Sequence, residues 1–204
     1  LRHVVLIGDD GPAGAIPWSR LADTEPPAAL TPAHPDDRCL LIYTSGTTGE
    51  PKGVQHSTNT LISEIRTSAM ATGSGQGDVN LAAFPAGHIA GVLGLLRLFV
   101  LGTSTVLMDA WDPALAARLV EEYRITTTAG APFYVASIMD EAERNGNDLS
   151  SITGYMVGAA SVPPSLVERA ERAGIPVYRA YGSSEHPVIT TSAPSDPLAK
   201  RAGT

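Results

Sequence analysis

The segment from Ser45 to Gly53 combines hydroxyl side chains, three glycines and one lysine within nine residues. Glycine lets backbone N–H groups approach an anion closely, and hydroxyl groups can donate further hydrogen bonds. Lys52 adds a positive charge that offsets the charge of a phosphate. The segment is therefore predicted to bind phosphate. Pro51 and Gly53 stand where the loop of P-loop NTPases has a glycine and a magnesium-binding Ser or Thr, so the pattern does not favour a kinase or a GTPase.

Short apolar runs alternate with longer amphipathic segments along most of the chain. Strands are predicted at Val4–Ile7, Cys39–Tyr43, Val79–Phe84, Ser104–Met108, Thr126–Thr128, Tyr155–Val157 and Val177–Tyr181. Helices are predicted at 57–71, Ile89–Leu101, Pro113–Arg124, Pro132–Arg144 and from Pro164 to Gly174, with Asp112 as the N-cap of the third. This alternation is typical of an α/β fold with a largely parallel sheet flanked by helices.

The edge of such a sheet determines where a ligand binds. In open α/β sheets, the ligand site lies beyond the carboxyl ends of the strands. We therefore expect the loops that follow Tyr43, Val157 and Tyr181 to share one edge of the sheet. This arrangement would bring segments that are distant in sequence into one site.

The chain is predicted to contain one main structural unit. Residues 38–192 are expected to form the ligand-binding core. Residues 1–37 are expected to add a strand and an irregular connection to the same domain, with Trp18 and Leu21 as apolar anchors. Residues 193–204 are expected to be a connection that leads out of the core.

Composition excludes several classes of function. Of the 204 residues, 43% are hydrophobic and 17% are charged, which is typical of a globular protein. A net charge of −7 argues against nucleic-acid binding. Cys39 is the single cysteine and cannot form an internal disulfide, which favours a reducing cytoplasm. The thirteen-residue apolar run Ile89–Leu101 contains Arg97 and is shorter than the ~20 residues of a membrane span, so a buried helix is expected.

A resemblance to a known family rests on four segments. Residues 43–54, Tyr-Thr-Ser-Gly-Thr-Thr-Gly-Glu-Pro-Lys-Gly-Val, resemble the phosphate loop of the adenylate-forming superfamily, which includes acyl-CoA synthetases, peptide-synthetase adenylation domains and luciferases. Three more segments match in the family's order: Phe84–Gly91, Gly158–Pro163 and Tyr181–Glu185. The resemblance implies part of the N-terminal domain of an acyl-CoA synthetase-like fold. It also implies that ATP phosphates contact Thr44, Ser45, Gly46, Thr47, Thr48, Gly49 and Lys52.

The other three segments carry the remaining implied roles. The family resemblance places His88 and Gly91 beside the acyl substrate, whereas a lone histidine before an apolar helix can equally be a core or capping residue. The adenine would contact Gly158, Ala159, Ala160, Tyr181 and Gly182. The resemblance makes Lys52, Ser184 and Glu185 the catalytic residues. Glu185 would bind Mg²⁺, and Ser184 replaces the usual threonine of the family, which should tune activity rather than remove it.

The implied reaction is the ATP-dependent activation of a carboxylic acid. The carboxylate would attack the α-phosphorus of ATP to give an acyl-adenylate, and the acyl group would then pass to CoA. The expected ligands are therefore a small carboxylate, ATP, Mg²⁺ and CoA. Neither nucleic-acid binding nor a membrane span is expected, and the expected location is the cytoplasm. The segments around 52–61 and 181–190 are similar to those of ligases that act on alicyclic or short-to-medium-chain acids, including cyclohexanecarboxylate-CoA ligases.

Other functions remain open at the level of sequence. The chain resembles only the middle of such an enzyme, without the later ribose-binding Asp, hinge and C-terminal domain, and without an N-terminal portion. We therefore expect weak ATP binding and little turnover by these 204 residues alone. One alternative is a non-catalytic nucleotide-binding remnant. Another is an adenylation domain that loads a carrier protein. A homo-oligomer is compatible with the sequence but is not indicated by it.

Overall fold

The computed structural model describes residues 5–7, 12–26, 29, 32–45 and 49–203. The chain divides into two compact units, residues 1–34 and 35–204. In the first unit, strand β1 (Val5–Leu6) pairs in parallel with β2 (Ile16–Pro17), and helix α1 (Trp18–Ala22) follows. The prediction that Trp18 and Leu21 are anchors is wrong, because these side chains are 54% and 38% exposed.

The second unit contains the remaining elements. Its strands are β3 (Arg38–Thr44), β4 (Lys52–Ser57), β5 (Val79–Ala82), β6 (Ser104–Leu107), β7 (Thr127–Gly130), β8 (Gly154–Val157), β9 (Val177–Tyr181) and β10 (Thr190–Thr191). Its helices are α2 (Thr58–Thr72), α3 (Ile89–Leu101), α4 (Pro113–Tyr123), α5 (Pro132–Asn145), α6 (Pro164–Arg172) and α7 (Leu198–Gly203). The expected alternation of strands and helices is confirmed, although most boundaries shift by one or two residues.

A six-stranded sheet forms the centre of the second unit, with strand order β10-β9-β8-β7-β5-β6. All neighbouring strands are parallel except β10, which pairs antiparallel with β9. The core lies between this sheet and helices α4, α5 and α6. Its fully buried side chains include Val120, Ile138, Tyr155, Val157 and Val167. The predicted α/β architecture with a largely parallel sheet is therefore confirmed.

Strand β3 does not belong to this sheet, contrary to the expectation that the loop after Tyr43 follows a strand of the main sheet. It forms a separate antiparallel hairpin with β4. Strand β4 is not predicted from the sequence, where Lys52–Ser57 resembles the end of a phosphate loop and the start of a helix. Within β4, however, buried Val54 and His56 alternate with exposed Gln55, which is the period of a strand.

Helix α3 is only partly buried, contrary to the prediction from its apolar sequence. Ile89 and Gly91 are its buried residues. Leu98 and Phe99 are 44% and 80% exposed. Among the residues that the structure describes, no helix is both long enough and apolar enough to cross a membrane.

The ends of the helices follow local chemistry. Asp112 accepts hydrogen bonds from the backbone N–H groups of Ala114 and Leu115 at 2.9 and 3.1 Å, which confirms it as the N-cap of α4. Helix α2 begins at an unpredicted capping box, in which Ser57 and Thr60 exchange side-chain to backbone hydrogen bonds. This capping box fixes the point where the hairpin turns into α2.

The last helix, α7, is not predicted from the sequence and is held to the core by a buried guanidinium. Arg201 is 4% exposed. It donates hydrogen bonds to the backbone oxygens of Asp196 and Val177 at 2.8 and 2.9 Å, and to the carboxylate of Glu171 at 2.7 Å. The side chain therefore joins α7 to β9 and α6.

Replacing Arg201 tests this connection. Arg201→Met should lower the free energy of unfolding by about 2–4 kcal/mol, because two buried carbonyl groups lose their donor. Urea denaturation measures the effect. Arg172→Met, at an exposed position on α6, removes the same charge and should change stability by about 0.5 kcal/mol or less. Equal effects of the two substitutions would contradict the assignment.

Candidate active site

The β3–β4 hairpin carries the predicted phosphate-binding segment. Thr44 at the end of β3 pairs with Lys52 at the start of β4, so the two ends of the segment lie side by side in the hairpin. Ser45 and Lys52 are exposed to solvent. Gly49 has a φ of +94°, a left-handed conformation that favours glycine. The predicted contacts Gly46, Thr47 and Thr48 lie outside the described residues.

The second motif forms a tight loop after β9. The backbone N–H of Ser183 donates to the carbonyl of His186 at 2.9 Å, and the His186 N–H donates to the Ser183 hydroxyl at 3.3 Å. A side chain at Gly182 would place its Cβ only 1.9 Å from the carbonyl oxygen of Pro187. The loop can therefore close only because residue 182 is glycine.

A buried histidine joins the hairpin to this loop. His56 of β4 is 5% exposed, and its Nε2 lies 2.7 Å from the carbonyl oxygen of Ser184. Because a carbonyl oxygen only accepts, Nε2 is the donor. Nδ1 lies 3.2 Å from the hydroxyl of Thr60. Sequence reasoning missed His56, because Val54 is the one apolar side chain in β4 and the sequence therefore shows no strand pattern.

The hairpin and the loop also meet electrostatically. The pKa of Glu185 is lowered by a hydrogen bond from its own backbone N–H and by one from the Ser183 side chain. Burial opposes this shift, and the interactions with Lys52 and His56 each lower the pKa by less than burial raises it. Glu185 is therefore an exposed, ionised carboxylate near Lys52. Within the described part of the chain, no cluster of three or more His, Cys, Asp or Glu side chains could hold a metal ion.

A cavity of about 340 Å³ opens at the carboxyl edge of the main sheet and extends beneath it, between the sheet and helices α2 and α3. Six of the predicted site residues line it: His88, Gly91, Gly158, Ala159, Gly182 and Ser184. Tyr181 and Ala160 instead line a separate depression of about 390 Å³ beside β10. The remaining described site residues, Thr44, Ser45, Gly49, Lys52 and Glu185, line neither space.

His88 has two structural roles. Its Nδ1 accepts a hydrogen bond from the N–H of Ala90 at 3.1 Å, so it caps helix α3. Its ring stacks on Phe84 with centroids 5.4 Å apart and faces the cavity. Gly91 leaves room for the preceding turn, since a Cβ there would lie 2.1 Å from the carbonyl oxygen of Pro85. Capping and lining the cavity are thus compatible functions of one side chain.

The turn after β8 is shaped by close backbone contact. A Cβ at Gly158 would lie 2.7 Å from the carbonyl oxygen of Ala180 on the neighbouring strand. Ala159 has a φ of +63°, which is rare for a residue with a side chain. Ala160 is exposed. Small residues therefore allow this turn to pack closely against the edge of the sheet, where it borders both the cavity and the depression.

Two charged residues of the cavity were missed by sequence reasoning. Arg97 of α3 lines it, and so does Glu64 of α2. The Glu64 side chain is 10% exposed and lies 3.5 Å from Nδ1 of His186. Burial raises the pKa of Glu64, while His186, the backbone N–H of Val188 and His56 partly oppose the rise. Its position next to buried Ile65 was the available signal, because a charge beside the apolar stripe of a helix is unusual.

Comparison with protein families gives one match over almost the whole sequence. A family described as AMP-binding enzyme matches residues 2–204. A medium-chain fatty-acid–CoA ligase of Escherichia coli is 29% identical over 184 residues, covering 88% of this chain and 32% of that protein. A feruloyl-CoA synthase of an Amycolatopsis species is 34% identical over 166 residues, covering 80% of this chain and 33% of that protein.

Solved structures show the same fold. The o-succinylbenzoate CoA synthetase of Bacillus subtilis, in complex with ATP and a magnesium ion, superposes with a TM-score of 0.79 at 27% identity. The match covers 88% of this chain and 38% of that structure. The chain thus spans about a third of the length of the curated relatives that it matches.

Replacement of Gly182 tests the close approach in the second motif. Gly182→Ala should lower the free energy of unfolding by about 1–3 kcal/mol, because a backbone carbonyl occupies the space that the methyl group needs. Chemical denaturation measures the change. Gly75→Ala is the matched control, since no atom lies within 4 Å of the position that a Cβ would take there. If Gly182→Ala is no more damaging than Gly75→Ala, the loop does not require glycine.

The raised pKa of Glu64 predicts a pH dependence of stability. The folded protein holds the carboxyl proton of Glu64 more tightly than the unfolded chain does. The contribution of protonated Glu64 to stability is therefore lost as the pH rises above 4.5, the ordinary pKa of the group. Glu64→Gln removes the ionisation. Its stability relative to the unsubstituted protein should therefore increase from below pH 4.5 to neutrality.

Urea denaturation at a series of pH values measures this difference. Glu122→Gln, at an exposed position on α4, controls for the loss of one carboxylate. A Glu64→Gln difference that stays constant with pH would show that the pKa of Glu64 is not raised on folding.

Proposed function

The chain belongs to the family of AMP-binding enzymes, and we propose that it is the nucleotide-binding core of an ATP-dependent acid–CoA ligase. The observation that carries the proposal is the meeting of two motifs beside one cavity. Nε2 of His56, on the strand that begins at Lys52, lies 2.7 Å from the carbonyl oxygen of Ser184. Ser184, the residue before Glu185, lines the cavity. This arrangement supports a reaction between an anionic phosphate and a molecule held in the cavity.

The proposed reaction has two steps. A substrate carboxylate attacks the α-phosphorus of ATP, forming an acyl-adenylate and releasing pyrophosphate. The CoA thiol then attacks the acyl carbon, forming a thioester and releasing AMP. In the first step two anions must approach each other, so positive charge and oriented donors are needed in the transition state. Lys52 and the N–H and hydroxyl groups near Ser45 and Gly49 would supply them.

Ser184 is proposed to orient the reacting groups. Its backbone carbonyl is fixed by His56 at 2.7 Å. Its side chain is half-buried at the edge of the cavity, where a hydroxyl can donate to the α-phosphate or to the carboxylate. The buried histidine therefore acts as a positioning residue, since it holds the main chain from which the hydroxyl projects.

The loop after β9 offers a carboxylate that could bind magnesium. Glu185 is an exposed oxygen donor that is kept ionised by its hydrogen bonds and by nearby positive charge. Mg²⁺ usually binds through one or two carboxylates together with substrate phosphates and water, so a single carboxylate is sufficient. When bound there, the ion would offset phosphate charge.

Adenine is proposed to bind at the depression beside β10. The Tyr181 ring is 67% exposed and lines this depression together with Ala160. An exposed aromatic face offers a stacking surface for a base. The turn at Gly158 and Ala159 connects this depression to the cavity, so a nucleotide there would direct its phosphates toward Ser184.

The acyl group is proposed to enter the cavity past His88 and Gly91. The cavity walls include apolar side chains such as Ile65, Leu93 and Met156, which suit a fatty or alicyclic acid. The names of the relatives, fatty-acid and feruloyl ligases, support an organic acid as substrate. We further propose a cytoplasmic location, in keeping with a single unpaired cysteine.

Substitution of the two charged residues tests the proposal in the full-length protein that contains this chain. Lys52→Ala and Glu185→Ala should each reduce adenylate formation by roughly 100-fold, because each removes charge stabilisation of the transition state. Pyrophosphate release with a panel of carboxylic acids measures the rate. Cys39→Ala and Glu122→Ala, at exposed positions, should retain activity. Unchanged activity in Glu185→Ala would exclude its role at the metal.

The same assay separates the proposal from its alternatives. Nucleotide binding without release of pyrophosphate from ATP in the presence of any tested acid would indicate a non-catalytic remnant. Transfer of the acyl group to a carrier protein and not to CoA would indicate an adenylation domain.

A further inference from the structure

Arg97 is the one charged residue of helix α3, and it lines the cavity. Its Nε is buried and has no hydrogen-bond partner. Across the described part of the chain, no hydrogen bond or ion pair involves its guanidinium. Thr127, which lines the same cavity, also has a buried hydroxyl without a partner. Two donors in one cavity are therefore unsatisfied.

These donors lie away from the proposed site of chemistry. Arg97 follows His88 by nine residues, which is about 13 Å along a helix axis. Thr127 is the first residue of β7, and Tyr178 is the second residue of β9. By contrast, Gly182 follows the end of β9. The cavity thus runs from the carboxyl edge of the sheet toward the amino ends of its strands, where Arg97 lies.

No acidic group of the described chain forms an ion pair with Arg97, although the charge of Asp78 favours its protonated form. Each carboxylate oxygen of Asp78 already accepts a hydrogen bond at 2.8 Å, from the N–H of Gly75 and from the hydroxyl of Thr126. Glu64, the acidic residue in the cavity lining, lies against His186. Burial raises the pKa of Tyr178 to about 12, so its phenol is neutral at physiological pH.

The guanidinium of Arg97 therefore retains hydrogen-bonding capacity for an anion in the cavity. Burial lowers the pKa of its guanidinium, while Tyr178 and Asp78 act in the opposite direction. An arginine nevertheless stays protonated in proteins. Arg97 is partly exposed, and its Nε is the atom that is buried without a partner. A carboxylate can bind a guanidinium through two parallel hydrogen bonds.

We propose that Arg97 binds an anionic group at the far end of the acyl substrate, so that the preferred substrates are medium-length dicarboxylic acids. One carboxylate lies near Ser184 and reacts, and the other lies against Arg97 and Thr127. This inference rests on the proposed acid–CoA ligase function. It names Arg97 as a residue that determines substrate specificity.

Suberate and octanoate provide a matched pair of probes, because they have the same chain length and differ only in the second carboxylate. Their binding to the full-length protein is measured by isothermal titration calorimetry, and their activation by pyrophosphate release. The unsubstituted protein should bind suberate more tightly than octanoate by roughly tenfold or more. Arg97→Met should abolish this preference without weakening octanoate binding.

Two further variants complete the experiment. Arg97→Lys keeps the charge but loses the bidentate geometry, so it should retain part of the preference for suberate. Arg66→Met removes an exposed arginine of α2 and should leave the preference unchanged. If Arg97→Met does not fold, the selectivity of the unsubstituted protein and of Arg97→Lys still decides the question.

The outcomes separate the two proposals. Equal binding of both acids by the unsubstituted protein, or an unchanged preference in Arg97→Met, would overturn the role of Arg97. Activation of both acids without discrimination would leave the ligase function intact and refute the specificity. Selective binding of suberate through Arg97 without activation of any acid would support the binding site and refute the ligase function.

Discussion

One hydrogen bond from a buried histidine joins the two motif-bearing segments of the candidate site directly. Lys52 belongs to a small antiparallel hairpin, whereas Glu185 follows a strand of the six-stranded sheet. Among the described residues, no strand pairing joins these two sheets. The 2.7 Å contact from His56 to the carbonyl of Ser184 bridges them. Because His56 is buried, water does not compete for this bond, which fixes the carbonyl group of the residue before Glu185.

Close backbone contacts shape the rest of the carboxyl edge of the six-stranded sheet. At Gly91, Gly158 and Gly182, a carbonyl oxygen from another segment occupies the space of a missing side chain, at 2.1, 2.7 and 1.9 Å from an ideal Cβ. Each glycine lies in or beside a loop that borders the cavity. The site is therefore built mainly from main-chain surfaces packed together, and a few side chains project from them.

Sequence patterns are sufficient to predict the structure where a local signal determines it. Asp112 before a proline fixes a helix start, and alternating strands and helices predict the parallel sheet. They are insufficient where burial depends on distant partners. The apolar character of Phe99 predicts burial, but its side chain is 80% exposed. The pairing of β3 with β4 and the contact of His56 are hidden in the sequence, because a glycine- and hydroxyl-rich segment resembles a ligand loop alone.

The bridge from His56 to Ser184 also bears on how the protein folds. Its partners are 128 residues apart in sequence, whereas the hairpin and its following helix form from neighbours close along the chain. Closing a long loop costs more entropy than closing a short one, and non-local contacts form slowly. The hairpin can therefore form early, while the bridge must wait until β9 has joined the sheet. We therefore expect the candidate site to assemble late in folding.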